Sequence, residues 1–165
     1  MNCWWRWATV GLSRNALSRG DWHAASTYAS AAQTVQSGCF LNRLYAHLII
    51  ARLRARRADP DVELALHEAD ASRGTASFPS IDSEIAIARA EAAFLAGDRD
   101  RAREEAIRAL PTAITHHFHW LAGQLAHIVI AAGGTVPPDY EPVGPYCAEY
   151  AGDWRAAHAA WTELG

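Results

Sequence analysis

A Gly-Asp step that recurs with the same small residues behind it limits this chain more than any other feature. Gly20-Asp21, Gly97-Asp98 and Gly152-Asp153 each open such a segment, and Asp59-Pro60-Asp61 supplies a looser fourth copy. Asp21 is followed by Ala25, Ala29 and Ala32, and Asp98 by Ala102, Ala106 and Ala109, at the same offsets. Asp61 leads to Ala65 and Ala69, while Asp153 leads to Ala157, Trp161 and Leu164. Steps of four and three return to one side of a helix. Glycine takes the left-handed conformation that ends a helix, and aspartate accepts from the free N–H groups that open the next. The pair therefore predicts a tight hinge between two helices.

A second apolar stripe belongs to the helix outside each hinge: Leu44, Leu48, Ala51 and Ala55; Ile81, Ile85, Ala88, Ala92 and Leu95; Leu121, Leu125, Ile128 and Ala132. The two patterns predict helices over about 4–18, 42–57, 81–96 and 117–132, alternating with helices over about 22–36, 61–73 and 99–110. A short pair over 145–151 and 154–163 follows. Between them, the prolines and glycines of 133–144 stop any helix. The expected organisation is one all-α domain, 1–165, with units of about 3–37, 41–74, 80–112 and 116–165. Helix pairs repeated in this way make a tetratricopeptide-like α-α superhelix, a right-handed solenoid of antiparallel pairs, although the hinge spacing exceeds the ~34 residues of a standard unit.

Composition removes whole classes of function. All 15 basic residues are arginine, so neither a P-loop lysine nor a Schiff-base lysine is available. A net charge of -3 gives no basic field for a phosphate backbone, and direct nucleic-acid binding is not expected. The cysteines, Cys3, Cys39 and Cys147, are odd in number and far apart, which fits neither a disulfide framework nor a zinc spacing. The opening MNCWWRWATVGLSR lacks a secretory pattern, and runs such as Ile128–Ala132 are too short for a membrane span. A cytoplasmic, unprocessed chain is the expectation.

No G-x-S-x-G, H-E-x-x-H or paired Cys/His signature is present, so no catalytic centre and no cofactor are expected. No cysteine or carboxylate at ligand spacing joins His116, His117, His119 and His127, which read as polar residues of a helix start, with no metal. Arg52, Arg54, Arg56 and Arg57 spread around a helix and complement its C-terminal dipole. Trp22 and Trp154 share one place after the hinge aspartate, which argues for packing against the turn of their own helix pair.

The segments LNRLYAHLIIARLRARRADPD, ARAEAAFLAGDRDRAREEA, HWLAGQLAHIVIAAGG and PYCAEYAGDWRAAHAAWTELG, in that order, resemble the helical-repeat region of large ATP-dependent LuxR-type transcriptional regulators of the MalT-like class and of related actinobacterial ATPases. The resemblance runs from about Leu17 onward. It implies a repeat segment that elsewhere lies between a nucleotide-binding ATPase and a DNA-binding helix-turn-helix, with neither flanking domain here. No catalytic or DNA-contacting residue of that family maps onto this chain.

A solenoid of helix pairs binds along the surface lined by the first helix of each pair. The contact residues expected there, off the apolar stripe, are Tyr45, Arg52, Arg89, His117, Trp120 and Gln124. The expected activity is that of a non-catalytic scaffold for a protein or peptide partner; the alternative, which the family implies, is a small-molecule effector sensor. Apolar side chains at both ends, Cys3, Trp4, Trp5 and Trp7 on one side and Trp161 and Leu164 on the other, add an expectation of self-association through the terminal helices.

Overall fold

The computed structural model describes residues 3–33, 40–75 and 77–164, and their side chains from residue 7 onward. Among these residues the chain is all-helical: α1 Cys3–Ser18, α2 Trp22–Gln33, α3 Phe40–Arg57, α4 Val62–Arg73, α5 Pro79–Leu95, α6 Arg99–Thr115, α7 His119–Ala131, α8 Pro145–Tyr150 and α9 Trp154–Leu164. They fall into two compact units, Met1–Ser77 with α1–α4 and Phe78–Gly165 with α5–α9. The expected end of the second helix at residue 36 lies outside the described residues. None of the described helices is long and apolar enough to cross a membrane.

The hinges form as their chemistry dictates. Gly97 has φ 86°, the amide of Asp98 donates to Ala93 O at 2.9 Å, and the amide of Gly97 donates to Phe94 O at 3.0 Å. This pair of bonds closes the last helical turn and needs a left-handed residue at its centre. Gly20 and Gly152 repeat it, with Asp21 on Ala16 O and Asp153 on Ala148 O, both at 2.9 Å. Each aspartate then caps the following helix through Oδ1, accepting at 3.0 Å from the amides of Ala24, Arg101 and Ala156. The looser copy departs from this scheme. Ala58 takes the left-handed place at φ 52°, and Asp61, itself at φ 65°, makes no side-chain cap. Arginines hold that turn instead, with Arg54 donating to Asp61 O at 2.9 Å and Arg57 paired with Asp59 at 3.1 Å.

In the first unit, Val10 and Leu17 of α1, the alanine stripe of α2 and Ala46, Ile49 and Leu53 of α3 form one core cluster. Ala25 and Ala29 are fully buried, so α2 approaches its neighbours closely, while the leucines and isoleucines supply most of the burial energy at about 1.5–3 kcal/mol each. Ser13, fully buried, donates to Ala25 O at 2.7 Å, and Arg56 reaches Leu17 O at the end of α1 at 3.2 Å. Arg56 therefore serves the C-terminus of α1 as well as its own helix.

In the second unit, Ala86, Ile87 and Ala90 of α5 meet Ala106, Leu110 and Ala113 of α6 and Ala122, Leu125, Ala126 and Val129 of α7. Ala102 and Ala106 are fully buried, as the stripe after Asp98 requires. Three local expectations need correction. Helix α6 does not stop before Pro111 but continues to Thr115, because Leu110 and Ala113 remain on the core face while Pro111 sits on the solvent side. Leu95, the last residue of α5, is 48% exposed beside the hinge rather than buried in the stripe. Trp22 and Trp154 are 40% and 67% exposed, not packed into the turn. One residue beyond the aspartate lies about 100° around the helix, outside the roughly 20–80° swept by the buried offsets.

Candidate partner-binding surface

The six sequence-selected residues divide between the units. In the first, Tyr45 and Arg52 lie seven residues apart on one side of α3, both half-buried. The Tyr45 ring stands 6.4 Å from Trp7 of α1, and the Arg14 guanidinium lies 5.3 Å from its centre, a cation–π distance. Tyr45 is thus partly committed to joining α1 and α3. His47, two residues on, has its pKa lowered, first by burial, against which Glu68 acts and with which Arg43 acts. Gln33 Nε2 lies 3.1 Å from its Nδ1, a contact that suits an unprotonated nitrogen.

In the second unit, Arg89 is half-buried on α5. His117 does not lie on a helix as expected: it takes the left-handed place, φ 55°, in the turn between α6 and α7, where the amide of Phe118 bonds Ala113 O at 2.9 Å. Only His119 of the three clustered histidines enters α7. Among the described residues, no group of three or more His, Cys, Asp or Glu converges on a point that could hold a metal ion.

Trp120 and Gln124 do share a side of α7, and there the structure gathers residues outside the expected six. Trp120 is 48% exposed; its ring centre lies 5.8 Å from Tyr146 of α8 and 5.9 Å from Trp161 of α9, and the last two meet edge to face at 5.3 Å. Tyr146 reaches this position because Gly123 has no side chain: a Cβ there would stand 2.2 Å from Tyr146 Cδ2. Trp161 Nε1 donates to Glu149 Oε1 at 2.7 Å. The other carboxylate oxygen is shut off from solvent without an aligned hydrogen bond among the described residues, and His127 Nδ1 stands 2.9 Å from it. Trp120, Gly123 and His127 are spaced three and four residues apart, so the arrangement runs along one line of α7.

Rings this close to one another leave no room between them for a cationic ligand, so the group is a packed seam with an exposed edge rather than an open cage. The sequence did carry one signal for it. Trp161 occupies the buried offset after Asp153 yet is too large for a close helix–helix approach, which leaves its ring projecting toward α7. The notch at Gly123 had no such signal, because a glycine inside a helical pattern looks the same whether or not a ring fills the gap.

A scan against protein-family models and searches of curated proteins and of solved structures find no match to this chain.

Proposed function

We propose that the chain is a non-catalytic protein-interaction scaffold that holds a protein or peptide partner on the outer side of α7, without a cofactor or metal, away from nucleic acid and membranes, in the cytoplasm. The supporting observation is Trp120. It keeps 48% of its surface exposed on a helix whose opposite side is buried in the core, and large half-exposed aromatic rings dominate the energetics of protein interfaces. Gln124, one turn further on, adds hydrogen-bonding capacity beside it. In this reading the repeats are the tetratricopeptide-like segment of a transcriptional regulator, as the order of the four quoted segments suggests. The exposed Trp154, Trp161 and Leu164 of α9 favour self-association as an additional contact.

The test is selection of a displayed library of helical peptides on the intact chain, followed by affinity measurement with Trp120→Ala and Gln124→Ala. The reading requires selected peptides whose binding weakens at least ~10-fold on loss of Trp120, the scale of an interface anchor. Failure to select any peptide, together with a small molecule that raises the melting temperature, would replace this reading with effector sensing.

A further inference from the structure

The outer line of α7 is occupied by a segment of this same chain, which buries Pro145, Tyr146 and Ala157 but adds no residue to the α5–α7 core cluster of its unit. The core cluster draws its buried residues from α5, α6 and α7, and it is joined by Val136 and Tyr140 of the following loop but by no residue of α8 or α9. Helix α8 has six residues, too few to hold itself as an isolated helix, and α9 buries only Ala157. What ties the hairpin to α7 is the side-chain set described above: Tyr146 in the Gly123 notch, Trp161 against Trp120, and Glu149 against His127. Tyr140 meets Tyr150 at 6.4 Å, and the non-helical stretch 141–144 provides the tether.

We propose that Trp120, Gly123 and His127 form a recognition strip for a helix that carries an aromatic ring and, three residues later, a carboxylate, and that the α8–α9 hairpin is its built-in occupant, displaced when such a helix arrives from a partner. The chemistry of the partner is taken from the occupant. Tyr146 and Glu149 are three residues apart and so share a side of α8, and they meet a notch and an imidazole that are four residues apart on α7. Only glycine at position 123 leaves space for the ring. A tethered occupant competes at an effective concentration near the millimolar range, so partner binding is weak until the hairpin opens. The proposal rests on the reading of this side of α7 as the partner surface and adds the partner's chemistry and the regulation of the site.

The experiment uses the full chain and a fluorescently labelled peptide of sequence 145–164. Tyr146→Ala with Trp161→Ala removes the anchors of the hairpin and leaves the strip intact. This opened chain should bind the peptide at least ~10-fold more tightly than the wild type. Adding Gly123→Ala should abolish the gain, since the new methyl group fills the notch while favouring the α7 helix. No binding to the opened chain, or binding that survives Gly123→Ala, overturns the proposal. So does loss of cooperative unfolding of α5–α7 in the double variant, because the hairpin would then be part of the core. Peptides selected on the wild-type chain report on the function reading alone, so the two can fail separately.

Discussion

Gly97→Ala places a methyl group on a residue at φ 86°, where nothing lies within 4 Å of the added Cβ. With no collision to relieve, the change isolates backbone strain. The left-handed conformation costs an L-residue about 1–2 kcal/mol, and the lower entropy of the unfolded alanine chain returns about 0.4–1 kcal/mol. The net loss is about 1 kcal/mol for the second unit, or about 5 °C in melting temperature for a domain of this size. The first unit offers the inverse. Ala58 sits at φ 52° in the equivalent turn, so Ala58→Gly should stabilise that unit by about 0.5–1 kcal/mol through the same two contributions. Because the chain forms two units, a single melting curve is a poor readout; amide exchange of α3 and α6 reports each unit separately. A neutral or stabilising Gly97→Ala, or a destabilising Ala58→Gly, would refute the hinge assignment.

Asp153→Ala removes the cap on the amide of Ala156 and should cost about 1 kcal/mol locally, seen as faster amide exchange in the first turn of α9 with α5–α7 unchanged. Ala106→Trp overpacks a fully buried position and should cost ~1–3 kcal/mol in denaturant unfolding; unchanged stability would place the alanine stripe on the wrong side of α6. Asn42 is buried at 2% exposure, and among the described residues neither of its side-chain polar atoms has a hydrogen-bond partner, so Asn42→Leu should leave stability equal or higher, against the usual loss for a core substitution. His47 binds its proton less readily folded than unfolded. Its contribution to the first unit is therefore present above its ordinary pKa of 6.5 and lost as pH falls below that value, and His47→Gln should flatten the pH dependence of unfolding there.

What could be read from the sequence was local chemistry. The Gly-Asp hinges and the alanines at fixed offsets depend on backbone conformation and helix period, both written in a few consecutive residues, and they placed most helix boundaries within two residues. The exceptions share a cause. Ala58 and His117 adopt the left-handed conformation without being glycine, and at Ala58 the turn is held by Arg54 on Asp61 O and Arg57 on Asp59, contacts that no local residue pattern announces. Continuation of α6 through Pro111 depends on Leu110 and Ala113 meeting α5 and α7, which no window around the proline reveals. The same holds for the site. Trp120 and Gln124 were visible as polar or aromatic residues off the stripe, whereas Tyr146, Glu149 and Trp161 join them only through the return of the α8–α9 hairpin onto α7. Repetition misled at Trp22 and Trp154: a shared place after the aspartate reflects shared geometry, and that geometry turns both rings toward solvent.

Native-state amide exchange of the full chain, resolved by helix in the second unit, tests most directly whether α5–α7 form a core closed without the hairpin. The amides of α6 and α7 should exchange only on global opening of the unit. Those of α8 and α9 should exchange through a separate opening of lower free energy, which Gly123→Ala makes easier still. A single free energy shared by α5–α9 and unaffected by Gly123→Ala would contradict a core closed without the hairpin.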